Sequence, residues 1–239
     1  MTGTTQPPAG PHPVSLWELP ERGARGPRPR HDRAAIAAAA VRIADADGLE
    51  GLTMRRVASE LGMATMTLYN YLPTKDHLAQ LVIDELAAEY VDPPGSPADR
   101  RAAVTGLARQ AREIARRHPW LARLAQLPYP PGPNGLRYLD YFLGLLHGAS
   151  LDTGAKLEVI ALISGFATMY GALQGTLDRQ GVTGGQHAAM HARAFARAAA
   201  SGRYPNLAAA LATAGPPRGE DAIFESSVMH LIEAARLAG

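Results

Sequence analysis

Two tyrosines, three threonines and a lysine fall within the eleven-residue stretch TMTLYNYLPTK, residues 65–75. Tyr and Thr hydroxyls donate hydrogen bonds to phosphate oxygens, and a Lys ammonium adds a charge-assisted contact. The same stretch contains Met66 and Asn70, and an apolar group such as Met66 or a Thr methyl can contact the methyl group of thymine. These residue types predict a surface that contacts phosphates and base edges.

Two short helices joined by a glycine are predicted to carry this surface. Thr53 suits the N-cap of the first helix, which is expected to stop at Gly62. The second helix is expected from about Thr65 to Leu72 because Pro73 disfavours its continuation. An earlier amphipathic helix, residues 34–46 with Asp32 as N-cap, should pack across both helices. This order is typical of a helix-turn-helix unit, whose second helix enters the DNA major groove.

Basic residues around the unit are further candidates for DNA contact. Arg55 and Arg56 begin the first of the two short helices, and Lys75 begins the helix that follows the second, where the helix dipole also favours a phosphate. A solvated face is the alternative role for these arginines. Residues 31–76 contain five basic and six acidic side chains, so binding also requires the acidic ones to point away from DNA.

An arginine-rich segment precedes the unit. Residues 22–33 hold five arginines against Asp32 alone, a net charge of 5 − 1 = +4. We expect residues 1–30 to form a flexible arm that either contacts DNA or only aids solubility.

The composition favours an all-α protein. Hydrophobic residues make up 46% of the 239 and charged residues 19%, which is enough apolar material for a packed core. We expect an N-terminal three-helix DNA-binding domain over residues 31–76 and a C-terminal helical ligand-binding and dimerisation domain over 77–239. A connecting helix is expected over residues 75–91.

The stretch LTMRRVASELGMATMTLYNYLPTKDHL, preceded by AAIAAAAVRIADADGLEG, closely resembles the DNA-binding domain of the tetracycline-repressor (TetR) family of bacterial transcriptional regulators. The resemblance runs from about Asp32 to Asp84. The segments RRHPWLARL, GPNGLRYLDYFLGLLHGASL, KLEVIALISGFATMYGAL and IFESSVMHLIEA resemble the ligand-binding domain of actinobacterial members. Tyr71 stands where the family more usually has His, and Leu72 where it has Phe.

The resemblance implies a homodimer that binds palindromic double-stranded operator DNA and is released by a small-molecule inducer. It implies phosphate contacts from Thr67, Tyr69, Tyr71 and Lys75, and base contacts from Thr65, Met66 and Asn70. Repression is expected, with transcriptional activation or ligand-independent DNA binding as the alternatives. We expect inducer binding to shift the connecting helix and so change the spacing of the two recognition helices.

Aromatic residues concentrate in the C-terminal half, together with a few polar ones, as in ligand pockets, although such clusters also form plain core. The sequence shows no internal cluster of Arg or Lys, so we expect a hydrophobic, mostly uncharged inducer. The pocket candidates are Trp120, Tyr138, Tyr141, Phe142, His147, Phe166, Met169, Tyr170 and Gln174.

Gly171 and Gly175 lie one helical turn apart, which allows another helix to approach closely. Spacing alone leaves open whether that helix belongs to the same chain or to a second copy. The family resemblance favours a dimer interface formed with the last helix, around Ile223, Val228 and Ile232.

Other classes of protein receive less support. The sequence has no HExxH, GxSxG or phosphate-binding Gly-Lys loop, so no enzyme, catalytic residue or cofactor is expected. His187 and His191 are four residues apart, but no third ligand accompanies them, and no metal is expected. With no cysteine, no signal sequence and no apolar run that reaches about 20 residues, the expected location is the cytoplasm, without a membrane partner.

Overall fold

The computed structural model describes residues 15–19, 31–91, 100–216 and 218–237. Within these ranges the chain forms α-helices and one 3₁₀ helix, Leu16–Glu18, and no strand, which confirms the all-α prediction. Of the arginine-rich segment 22–33, only residues 31–33 are described. The α-helices are α1 (Arg33–Gly51), α2 (Met54–Glu60), α3 (Thr65–Tyr69), α4 (Lys75–Ala87), α5 (Arg100–Arg117), α6 (Leu121–Leu124), α7 (Pro133–Leu145), α8 (Thr153–Arg179), α9 (Gly184–Ala200), α10 (Pro205–Ala212) and α11 (Glu220–Leu237).

Side-chain caps fix the starts of the N-terminal helices. The Asp32 carboxylate accepts from the Ala35 N–H at 2.8 Å, and the Thr53 hydroxyl oxygen accepts from the Arg56 N–H at 3.2 Å. Both caps were expected from the sequence, since each satisfies an N–H that has no partner within its helix. The first helix is interrupted at Gly48, where φ is +72°.

The chain divides into two compact units, and the first of them consists of the described residues up to Glu89 together with Gln126–Tyr138. Helices α1 to α4 enclose its core, in which several apolar side chains are fully buried. These include Ile36, Val57, Leu68, Leu72, Leu78 and Val82. Helix α4 therefore packs with the DNA-binding helices, whereas the sequence predicted a domain boundary between residues 76 and 77.

The connecting helix expected over residues 75–91 ends at Ala87. Beyond it, Val91 exchanges two hydrogen bonds with the Gln110 side chain of α5: its N–H donates to Gln110 Oε1 and its carbonyl accepts from Gln110 Nε2, both at 2.9 Å. Because the Val91 N–H and carbonyl pair with the Gln110 side chain, they do not form the backbone hydrogen bonds of a continued α4. The Asp92-Pro93 pair that follows further disfavours helix.

Residues 126–138 join the first unit through α4. The buried carboxylate of Asp84 accepts from the backbone N–H of Gly135 and from Asn134 Nδ2, at the start of α7. The Tyr129 hydroxyl donates to Asp76 at 2.9 Å. Desolvation by burial, aided by this hydrogen bond, raises the pKa of Tyr129 to about 12.

The 3₁₀ helix also packs on α4. Leu16 is fully buried, and its backbone N–H donates to Gln80 Oε1 at 2.8 Å. The Trp17 ring lies so close to Gly132 that a Cβ there would come within 2.4 Å of it. This apolar segment is therefore part of the folded unit, which differs from the flexible arm predicted over residues 1–30.

The second unit consists of the described residues of Tyr90–Ala125 and Leu139–Gly239, and its main packing is between α5 and α8. A Cβ on Gly171 would lie 2.0 Å from the Arg112 carbonyl oxygen, and one on Gly175 would lie 2.0 Å from the Arg116 carbonyl oxygen. Both glycines thus allow α5 of the same chain to approach. Of the two roles that spacing left open for Gly171 and Gly175, this packing within the chain fits the same-chain one.

Aromatic and ionic contacts join α11 to α5 and α8. The Phe224 ring stacks on Phe166 with centroids 5.7 Å apart, and the Arg112 guanidinium lies 4.9 Å from the Phe224 ring. Arg112 also donates to Gln174 and to Asp221, each at 2.7 Å. Burial raises the pKa of Tyr170, which belongs to the same cluster.

Candidate DNA-binding surface and ligand cavity

A tight turn sets the position of α3 after α2. Gly62 adopts a φ of +63°, which a glycine accepts without strain. The Met63 N–H donates to the Ala58 carbonyl at 2.9 Å, so the turn folds back on the end of α2. The result is the helix-turn-helix arrangement that the sequence predicts.

Helix α3 presents one buried residue and several exposed polar ones. Leu68 is fully buried, whereas Met66 is 73% exposed and Tyr69 39% exposed. Thr67 and Asn70 are exposed, and Thr65 and Tyr71 are half-buried. The regular helix stops at Tyr69, three residues before the expected end, although the Leu72 N–H still donates to the Leu68 carbonyl at 3.0 Å. The residues expected to contact bases and phosphates thus surround one buried side chain, that of Leu68.

The three basic candidates lie in different environments. Arg56 pairs with Asp47 at 3.7 Å and with Glu60 at 4.0 Å. Arg55 is exposed and forms no ion pair within the described residues, and Lys75 is exposed at the first position of α4. Arg55 and Lys75 are therefore better placed than Arg56 to give their full charge to a phosphate. Exposed pairs such as those of Arg56 are weak, about 0–1 kcal/mol, and can exchange partners.

The residues expected to line a pocket are distributed among several environments. Phe142 is fully buried, Trp120 is 5% exposed, and Trp120 meets the ring of His118 edge-on. Phe166, Tyr170 and Gln174 lie in the α5–α8–α11 cluster around Phe224 and Arg112. Tyr141 is half-buried, as is Tyr138, which ends the segment assigned to the first unit. His147 and Met169 are exposed.

The second unit contains a cavity of about 340 Å³ at a different place. It lies among the first residues of α5, the end of α7, the loop 148–151, α8 and α11. None of the nine predicted pocket residues lines it. Its wall is formed by Arg100, Arg101, Val104, Leu145, Leu146, Gly148, Ala149, Ser150, Leu151, Val159, Ile163 and Ile232.

The last helix was expected at a dimer interface. Val228 is fully buried within its own chain, Ile232 is half-buried and lines the cavity, and Ile223 is half-buried. Val228 is therefore unavailable to a partner. Exposed apolar side chains lie instead on another face of α8, at Leu162, Met169 and Leu173. Leu162 and Met169 border an open apolar groove between α8 and α11.

Sequence reasoning missed the cavity and the buried polar residues of α4. Val159 and Ile163 follow the apolar period of a core helix, and this period does not distinguish a filled core from an empty space. Gln80 and Asp84 are four residues apart on α4, which places two polar groups on one side of a largely apolar helix. That spacing was the available signal for the contacts with Leu16 and Gly135.

His187 and His191 face each other on α9, with their Nε2 atoms 3.2 Å apart. Within the described residues no group of three or more His, Cys, Asp or Glu side chains could hold a metal ion.

Comparison with known proteins places this arrangement in a family. Residues 36–82 match the family described as bacterial regulatory proteins, tetR family, and residues 93–234 match the tetracyclin repressor-like C-terminal domain. The chain belongs to the TetR family of transcriptional regulators, and it is a helix-turn-helix DNA-binding regulator with the C-terminal domain of that family. The family is one of regulators rather than enzymes.

Relatives from Streptomyces are similar over most of the chain. The HTH-type transcriptional repressor DrrR1 of Streptomyces coeruleorubidus is 36% identical over 204 residues, which cover 81% of this chain and 73% of that protein. Apo ActR of Streptomyces coelicolor is 28% identical with a TM-score of 0.70, over 87% of this chain and 98% of ActR. ActR in complex with actinorhodin is 27% identical with a TM-score of 0.71, over 88% and 99% of the two chains.

Proposed function

We propose that this protein binds a palindromic operator as a homodimer, represses transcription there, and is released when a small molecule occupies its C-terminal unit. The observation that carries the proposal is the surface of α3, where Thr67, Tyr69 and Asn70 are exposed around the buried Leu68. In a helix-turn-helix protein this is the surface that enters the major groove. The relative DrrR1 is named as a repressor, which favours repression over activation.

The DNA contacts follow from the chemistry of these side chains. The hydroxyls of Thr67, Tyr69 and Tyr71 donate to phosphates, as does Lys75 at the start of α4, and Arg55 supplies a second cation. Asn70, Met66 and Thr65 contact base edges. Arg56 contributes only after it leaves Asp47 and Glu60.

A homodimer is supported by the apolar groove between α8 and α11. Met169 is 62% exposed and Leu162 is 59% exposed, and because they lie seven residues apart on α8 they share one face of the helix as an exposed apolar patch. A second copy of the chain would bury both and would supply the second recognition helix. The two recognition helices of such a dimer must lie about 34–36 Å apart to contact half-sites one DNA turn apart.

Release by a small molecule is supported by the cavity and by the course of α7. This helix starts at the Asp84 contact with α4, and its last residue, Leu145, lines the cavity. If a ligand moves the end of α7, this movement would pass along the helix to the Asp84 contact and so to α4.

The relative ActR has been crystallised with actinorhodin and with (S)-DNPA, so ligand binding is known for a similar chain. A coupling of about 1–3 kcal/mol between ligand and DNA suffices to change operator occupancy. The site of action is the cytoplasm, where the operator DNA lies.

Selection from random-sequence duplexes by the purified chain tests the DNA part of the proposal. We expect enrichment of a sequence with two-fold symmetry, bound by two chains per duplex. Enrichment of an asymmetric sequence, or of no sequence, would contradict the proposal.

A further inference from the structure

The cavity in the second unit combines an apolar wall with two cations. Val104, Leu145, Val159 and Ile163 form the apolar part, and each is buried. Arg100 and Arg101 line the same space from the first turn of α5. Among the described residues that line it, none is acidic.

The two arginines differ from the others on α5. Farther along the helix, Arg109 pairs with Glu225, Arg112 with Asp221 and Arg116 with Asp178. Over the described part of the chain, neither Arg100 nor Arg101 has a carboxylate partner. Counting described residues only, the arginines of α5 without an acidic partner are thus the two that line the cavity.

The position of these arginines adds to the positive potential. The N-terminal end of a helix carries a partial positive charge, and cations there are unfavourable. In the part of α5 that the structure describes, which begins at Arg100, the first turn contains no acidic residue. An anion at the cavity would therefore interact favourably with the guanidinium groups and with the helix end together.

The loop before α8 leaves this side of the cavity open. Gly148 adopts a φ of +78°, and a Cβ at this position would lie 3.7 Å from one terminal nitrogen of Arg100 and 3.8 Å from the other. The absence of a side chain keeps space beside the guanidinium. A planar acidic group can then approach two N–H donors of one arginine at once.

We propose that this cavity binds a small molecule that has an apolar ring system and an acidic group, with the acidic group paired to Arg100 and Arg101. The ring system contacts the wall formed by Val104, Val159 and Ile163. A volume of about 340 Å³ is at the lower end for ligand pockets, which favours a compact ligand of two or three fused rings. The inference deepens the proposed release by a small molecule and rests on it only for the effect on DNA. It replaces the uncharged inducer expected from the sequence, because Arg100 and Arg101 supply the counter-charge that appeared to be missing.

A pair of fluorescent probes with the same rings tests the charge requirement. 8-Anilinonaphthalene-1-sulfonate carries an acidic group, and N-phenyl-1-naphthylamine is its neutral counterpart. The probes are titrated against the full chain at low salt. The double variant Arg100→Gln/Arg101→Gln should bind the anionic probe at least about tenfold more weakly than wild type does. The neutral probe should bind both proteins alike, within about twofold. The matched control is Arg193→Gln/Arg197→Gln, which removes the same charge from exposed positions on α9 and should leave both affinities unchanged.

A second variant tests the location. Ala149 is half-buried in the loop and lines the cavity, so Ala149→Trp should fill the space and weaken both probes. Equal affinity of the anionic probe for wild type and the double arginine variant would overturn the proposal. Unchanged binding of both probes to Ala149→Trp would overturn it as well.

Operator affinity, measured on the same preparations without probe, separates this inference from the proposed function. Charge-selective probe binding by a chain that selects no operator would contradict the proposed function and leave the cavity inference standing. Operator binding without charge-selective probe binding would contradict only the inference.

Discussion

The Asp84 carboxylate accepts the backbone N–H of Gly135 at 2.9 Å, while the Asn134 side chain donates to its other oxygen at 3.0 Å. Asp84 lies on α4 and is only 4% exposed, and the two donors lie in the first turn of α7. An anion at a helix N-terminus is favoured both by the free N–H groups and by the helix dipole. This contact fixes residues 126–138 onto the unit that carries the recognition helix.

Asp84→Ala should lower the free energy of unfolding by about 2–3 kcal/mol, because two donors to a charged acceptor lose their partner. Urea denaturation followed by circular dichroism measures the change. Asp140→Ala, an exposed acidic residue farther along α7, is the control and should change stability by less than about 0.5 kcal/mol. Equal effects of the two substitutions would show that the Asp84 contact contributes nothing specific.

Gly175→Ala should destabilise the protein by about 3 kcal/mol or more, because the new Cβ would lie 2.0 Å from the Arg116 carbonyl oxygen and the backbone must move. Thermal or urea unfolding measures this. Gly144→Ala is the matched control, since nothing lies within 4 Å of a Cβ there. It should be neutral or stabilising by up to about 1 kcal/mol. A stable Gly175→Ala protein would mean that α5 and α8 do not pack as closely as described.

Tyr129 should titrate well above an ordinary tyrosine. Its pKa is raised to about 12 by burial and by the hydrogen bond to Asp76, whereas the pKa of an unfolded tyrosine is about 10. The hydroxyl is protonated in both states below pH 10, so its stabilising contribution is complete there. That contribution is lost as the pH rises from 10 through 12.

Ultraviolet difference titration of wild type against Tyr129→Phe isolates this group. We expect the tyrosinate signal of Tyr129 to have its midpoint near pH 12 in the folded protein. A midpoint near 10 in folded protein would show that the Asp76 contact is not made.

Met169→Glu should convert a dimer to a monomer, because it places a charge in the apolar groove between α8 and α11. Light scattering should give twice the 25.3 kDa of one chain for wild type and 25.3 kDa for the variant. Met66→Glu, the same replacement at an exposed position on α3, should stay dimeric. A dimeric Met169→Glu protein would assign the interface to another surface.

The sequence predicted the N-terminal helices well because their signals are local. Asp32 and Thr53 are capping residues directly before an apolar period, and Gly62 marks the turn, so the starts of α1 and α2 and the position of the turn followed from adjacent residues. The exposure of Tyr69 and the burial of Leu68 also follow from their positions on one short helix.

The rest depended on contacts between distant segments. Gly171 and Gly175 predicted a close helix neighbour, but their spacing does not state which chain supplies it. No local signal marked Arg100 as a cavity residue, since the loop at Gly148 and the wall at Val159 come together only in the fold. The hydrogen bonds of Val91 with the Gln110 side chain likewise join residues nineteen positions apart, which no local pattern predicts.

The most direct test of the account is the salt dependence of operator binding for wild type and Lys75→Ala, measured by fluorescence anisotropy on the selected operator. Lys75 and Lys156 are the two lysines of the chain, so Lys156→Ala on α8 is a matched control. Tyr69→Phe, compared with Tyr204→Phe, tests the hydroxyl contact in the same assay.

We predict that Lys75→Ala weakens binding and reduces the slope of log K against log salt by about 1, because one phosphate contact is lost. Tyr69→Phe should weaken binding by roughly 1–2 kcal/mol with little change in slope. Both controls should match wild type. If Lys75→Ala bound the operator with the affinity and slope of wild type, the surface formed by α3 and the start of α4 would not be the one that holds DNA.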